Sequence, residues 1–201
     1  MNVFLKTHYP IRFNRKTRMV YAYRVDGTII SASWDDIYFT SGLWRFKTPM
    51  EDYYLSGHVL SEDRQTVIDT FCLPESLSIQ SELTAHWEFI RRYMEEGVEP
   101  VIDSIKYYLP IDKRKETIKE SYLYLLGLAV SINIIFLPLA IIGAVPICLI
   151  RHLAIRCSQR PIWPDNIEAT CQINPNDSFQ RDSSFNTKPF WKTVISLQNK
   201  F

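Results

Sequence analysis

A serine, a histidine and an aspartate that could form a hydrolytic triad fall near one another at Ser56-Gly57-His58 and Asp69. Acyl transfer needs a serine hydroxyl against an imidazole that a carboxylate orients. Here Ser56 and His58 alternate on one predicted strand, with no nucleophile elbow or oxyanion-hole sequence around them. His58 therefore reads as a sheet histidine. Asp35 and Asp36, beside Trp34, could serve as an acid/base pair, but neighbours on a strand point to opposite faces and would not share a substrate. They read as turn residues. His152, Cys157 and Cys171 have ligand chemistry, yet their spacing matches no zinc pattern and a fourth ligand is missing. The six glycines form no phosphate-cradling motif. No catalytic, cofactor-binding or metal-binding residue is assigned, no cofactor is expected, and the chain reads as a non-enzyme.

Two groups of residues point to surfaces instead. Arg12, Arg15, Lys16 and Arg18, with Arg24 beyond them, are interleaved with Phe13, Tyr21 and Tyr23. Such a cluster could meet anionic lipid headgroups, each basic residue contributing about 1 kcal/mol, or could be a solvated turn. Arg156, Arg160 and Trp163 form a candidate membrane-interface anchor, because an indole suits the headgroup level. A net charge of +1 gives no case for nucleic acid. His86 and Trp87 read as packing residues.

The elements that would carry these groups begin as short strands. Residues 11–14 and 19–24 flank the turn Arg15-Lys16-Thr17-Arg18. Asp26-Gly27 is a turn signal leading into a strand at 28–33. Residues 37–40 follow the Trp34-Asp35-Asp36 corner, and 53–60 pair with 66–73 across a polar loop. Pro74 is read as the stop. Ser78 is a plausible N-cap for a helix to about Glu96, with Gly97 ending it. Leu83, Trp87, Ile90 and Met94 share one stripe, widened by Phe89 and Tyr93. The fold class expected is α+β, an antiparallel β-domain closed by a C-terminal helix. That element order is similar to a pleckstrin-homology-like domain, a bent sheet with a helix at one end.

Residues 122–150 carry no charged side chain. As one helix they would run for about 44 Å, against roughly 30 Å of bilayer hydrocarbon. A transmembrane helix or helical hairpin is therefore expected. Ser131, Asn133, Pro138, Gly143 and Pro146 are candidate breaks. Basic residues on both flanks favour the hairpin, while legs of roughly 15 residues favour one kinked pass. The expected organisation is a cytosolic β-plus-helix domain (1–97), a basic linker (98–120), the membrane segment (121–155) and a juxtamembrane tail (156–201). Within the tail, residues 165–171 could form a short helix. Phe179, Phe185, Phe190 and Trp191 need a surface, either the first domain or a partner. The four cysteines are widely spaced and read as reduced thiols, and no secretory signal is visible.

Several strings together resemble one bacterial family. They are the stretch at 10–18, Trp34-Asp35-Asp36, Gly57-His58-Val59-Leu60, Asp69-Thr70-Phe71 and the helix at 87–95. Downstream come Arg151-His152-Leu153-Ala154, Pro161-Ile162-Trp163-Pro164, and Asp177 with Arg181-Asp182. The resemblance runs from about residue 9 to 186, to a domain family of unknown function described as membrane proteins often encoded beside type VI secretion genes. It implies an inner-membrane protein with its soluble domain facing the cytoplasm, and supplies no catalytic residues. The expected partners are the lipid bilayer and a protein of the secretion locus. The expected role is a non-enzymatic accessory, adaptor or immunity protein. The alternatives are a pore-forming, membrane-damaging effector or an anionic-lipid-binding protein.

Overall fold

Apolar residues recurring every second position from residue 11 to residue 73 build two antiparallel sheets in the computed structural model. The structure describes residues 11–24, 26–45, 51–108, 117–119, 121–122, 125, 137–157 and 162–187. The first sheet, in the order β1-β2-β3, contains Ile11–Asn14, Met19–Tyr23 and Ile29–Ser33. The second, in the order β4-β5-β6, contains Ile37–Arg45, Glu51–Leu60 and Val67–Leu77. Helix α1, Gln80–Glu95, and the short α2, Glu99–Ile102, follow.

Residues 8–103 form one compact unit together with the returning segment 160–174, while residues 1–7, 104–159 and 175–201 form another. In the first unit, Val20, Ala22, Ile30 and Ala32 face a core shared with Leu55, Val59, Phe71 and Leu73. The predicted stripe on α1 supplies Leu83, Ile90 and Met94 as buried residues, and Trp87, Phe89 and Tyr93 pack against the same core. Gly97 ends the helix at φ +107°, where a Cβ would be strained, and its N–H donates to the Arg92 carbonyl at 3.0 Å.

Several boundaries differ from the sequence reading. The β-region divides into two sheets and is not one bent sheet. Pro74 does not stop β6, which runs on to Leu77 as an edge strand. A proline is tolerated there because an edge strand leaves N–H positions without a ladder partner. Ser78 does not cap α1, whose N-cap is Ile79 with no side-chain cap bond. Ser78 instead donates to Asp52 at 3.2 Å.

The expected transmembrane helix or hairpin at 121–155 is corrected. Among the described residues, no helix is long and apolar enough to cross a membrane. In the second unit, helix α3 spans Leu137–Cys157. Its uncharged part ends at Ile150, about 14 residues or roughly 21 Å, against the roughly 30 Å of a hydrocarbon core. Arg151, His152 and Arg156 occupy the remainder. Two of its residues, Ala144 and Cys148, are buried, and the Cys148 thiol donates to the Ile118 carbonyl at 3.5 Å. The break candidates Ser131 and Asn133 lie outside the described residues.

Two glycines set how closely the second sheet packs. A Cβ on Gly57 would lie 2.4 Å from the Phe71 ring, and one on Gly42 would lie 2.2 Å from Tyr54. Gly57→Ala is expected to cost about 2 kcal/mol by overpacking. Adding Phe71→Leu should recover part of that loss in denaturant titrations, whereas a clash-free position would show no such coupling.

Candidate functional site

The aromatic residues of the first unit gather where α1 meets the start of β4. Ser33 accepts from the Asp35 N–H at 3.3 Å and so caps a short 3-10 turn, Trp34–Asp36, that swings the Trp34 indole into the core. Trp34 stacks on Trp87 at a centroid distance of 5.8 Å, and Phe39 lies 4.5 Å from Trp87 and 5.2 Å from Trp34. Phe13 and Phe71 complete the group at 6.2 Å, edge-on. Each such pair contributes about 0.5–1.5 kcal/mol beyond simple burial.

Above this cluster lies a groove of about 510 Å³, lined by β4 on one side and α1 on the other. Ile37, Phe39 and Ser41 come from the strand, Leu83, Thr84 and Trp87 from the helix, and Leu55 from the neighbouring strand. Ligand pockets commonly fall at roughly 300–1,000 Å³ with mostly apolar walls, whereas Ser41, Gln80 and Thr84 make the walls of this groove mixed. Asp35 and Glu95 also line it, and none of its lining residues is basic. Arg18 grips Asp35 with two guanidinium hydrogen bonds and donates to the Met94 carbonyl at 3.4 Å, tying the first turn to the end of α1. The bond from Arg18 lowers the Asp35 pKa and outweighs desolvation. Glu95 is held by Arg91, which also donates to Glu88 and Glu96. Its hydrogen bonds with Arg91 lower the Glu88 pKa.

The basic residues proposed for lipid do not converge on one open face. Arg12 donates to Glu168 at 2.6 Å and lies 4.6 Å over the Trp163 ring. Arg15 reaches Gly97, its Nη1 lying 3.2 Å from the place of a Cβ there. Lys16 is exposed, and Arg18 is committed to Asp35. Trp163, proposed as an interface anchor, packs edge-on against Tyr23 at 5.6 Å. Arg156 closes α3 with its Nε 3.4 Å from His152, and Arg160 lies outside the described residues. No local signal marks Glu168 as the partner of Arg12, since 156 residues separate them.

The segment carrying Trp163 straps the outer face of the first sheet. Pro164 precedes helix α4, Asp165–Thr170, whose Ile167 is buried. Asn14 joins the strap to the first turn. Its Nδ2 donates to the Thr170 carbonyl at 2.8 Å, while its Oδ1 accepts from the Lys16 and Thr17 N–H groups. Residues 162–174 belong to the first unit, whereas Phe179, one of the tail aromatics expected to need a surface, belongs to the other. Phe190 and Trp191 lie outside the described residues. Phe185 belongs to the other unit, with Arg181 4.7 Å over its ring.

The remaining chemical candidates are separated by strand geometry. His58 lies between Thr40 at 2.8 Å and Thr70 at 3.0 Å. Asp69 faces Val59, hence the opposite side of the sheet from His58, and pairs with Arg24. Ser56 contacts Cys72 at 3.4 Å. Asp35 and Asp36 occupy the 3-10 turn and engage Arg18 and Arg64. Among the described residues no group of three or more His, Cys, Asp or Glu side chains could hold a metal ion.

The chain matches DUF6708, a family of unknown function, over residues 1–175 and belongs to that family. No curated protein and no solved structure matches it.

Two outcomes follow from these contacts. Trp163→Ala should destabilise the first unit by about 1–2 kcal/mol, through the lost Tyr23 and Arg12 contacts, and raise proteolysis within 162–171. Because the Asp35 pKa is depressed in the fold, its stabilisation is complete above the ordinary carboxylate pKa of about 3.9 and is lost as pH falls through the folded value. The stability difference between wild type and Asp35→Asn should therefore shrink from pH 5 towards about pH 2 in denaturant titrations. A difference that grows on acidification would contradict the sign.

Proposed function

We propose that this chain is a non-enzymatic protein of a type VI secretion locus that works through protein–protein contacts, as an accessory, adaptor or immunity protein. The observation that carries the contact reading is the aromatic-floored groove between β4 and α1, a recess whose walls mix rings and aliphatic side chains with Asp35, Ser41, Gln80, Thr84 and Glu95. Support for the locus comes from the strings that resemble the family, whose members are often encoded beside type VI secretion genes. Placement at the cytoplasmic face of the inner membrane belongs to the same proposal, by association and not by a spanning helix. The exposed apolar residues Ile142, Ile147, Ile150 and Leu153 of α3 are compatible with such association.

The lipid-binding alternative is weakened because Arg12 and Arg18 are taken up by Glu168 and Asp35. The pore-forming alternative required a spanning hairpin and is not carried forward.

The test is capture of partners by the tagged full-length chain, expressed with the proteins encoded beside it. One of these should co-purify, and deletion of the gene should alter secretion or self-protection. A chain that captures none of them, and whose loss changes neither phenotype, contradicts the proposal.

A further inference from the structure

We infer that residues 162–171 are an exchangeable clasp: the segment that straps the first sheet within its own chain also docks on the same face of a second copy, and so joins two chains. Sheet 1, and not the groove, supplies the surface.

The occupant of this face is already seated on it. Tyr21 and Tyr23 alternate along β2 with the core residues Val20 and Ala22, so they stand on the outer side of the sheet. Tyr21 is nevertheless buried. Trp163 packs edge-on against Tyr23 at 5.6 Å, with the Arg12 guanidinium 4.6 Å over its ring. Ile167 is buried, and the Cys171 Sγ lies 3.7 Å from the Asn14 Nδ2. Trp163, Ile167 and Cys171 fall four apart, the spacing of one helical face, so the segment turns a single stripe towards the sheet. Glu168 and the Thr170 carbonyl add the polar contacts with Arg12 and Asn14. A second copy carries the identical stripe and the same carboxylate for Arg12. The face that fits one fits the other.

This docking is free to exchange because side chains make it and no ladder does. The strap belongs to neither sheet, so its release breaks no strand pairing. Helix α4 has six residues and no side-chain cap bond at Pro164, and so short a helix does not persist in water without a surface beneath it. A released strap therefore gains from returning to such a face, on its own chain or on another. Residues 104–159, which lead from the 8–103 core to the strap, belong to the other unit, so no local link ties the strap to its own core. Exchange of an identical element between copies is a low-cost route to a dimer.

The Arg12–Glu168 pair allows the exchange to be read. Its side chains are 30% and 59% exposed, so reversing either charge leaves the core untouched. The experiment uses two full-length variants. Arg12→Glu keeps an intact strap and spoils the face, while Glu168→Arg keeps an intact face and spoils the strap. Alone, each sets like charges against each other both within and between chains, and should sediment as a monomer. Mixed, they restore both ion pairs, but only between chains. The mixture should form a one-to-one heterodimer, with an association constant at least about tenfold above that of either variant with itself, as two exposed pairs of up to about 1 kcal/mol allow. Both reversals in one chain restore the pair in cis and should match the wild type.

A second measurement needs no variant. Wild-type chains refolded together as an equal mixture of isotope-labelled and unlabelled protein should show a cross-peak between Tyr23 of one chain and Trp163 of the other. A mixture of the two variants that stays monomeric overturns the exchange, and so does a dimer, wild-type or mixed, that lacks this cross-peak.

Discussion

The mutual packing of Trp34, Phe39 and Trp87 is the contact on which the first unit depends. It joins three elements that are distant in sequence: the corner after the first sheet, the opening of the second sheet, and the closing helix. Without it α1 would keep Leu83, Ile90 and Met94 as apolar anchors. It would lose its ring contacts with the 3-10 corner and with β4.

A second set of contacts acts at the opposite face of the first sheet. Sheet 1 has its inner face in the core and its outer face under the strap that begins at Trp163. Arg12 joins the strap through both its charge and its planar face, and Asn14 joins it through an amide that also orders the first turn. The basic character of the first hairpin thus has a structural use. Arg18 works the same way towards α1 and Asp35. An arginine suits these positions better than a lysine, since the planar guanidinium can serve a carboxylate and stack on an indole together.

Much of the first unit was readable from local pattern. The strand alternation, the Asp26-Gly27 turn, the helical stripe from Leu83 to Met94 and the stop at Gly97 are all short-range signals, and the structure places elements there. The misreadings have identifiable causes. Pro74 looked like a terminator because its effect depends on whether the strand lies at an edge, which the sequence does not state. The uncharged run at 122–150 looked like a spanning helix because hydropathy counts composition, whereas the described helix at Leu137–Cys157 takes up only the second half of that run and continues into Arg151 and Arg156. The groove was not legible at all, since its walls come from β4 and α1 and only the fold brings them together.

The central claim is that Trp87 packs against both Trp34 and Phe39, which also touch each other, beneath the groove. Its most direct test is nuclear Overhauser spectroscopy on the full-length chain with labelled tryptophan and phenylalanine rings. Strong cross-peaks from the Trp87 indole to both Trp34 and Phe39 are predicted. Their absence in the folded protein, with Trp87 instead in contact with other side chains or with solvent, would contradict the account.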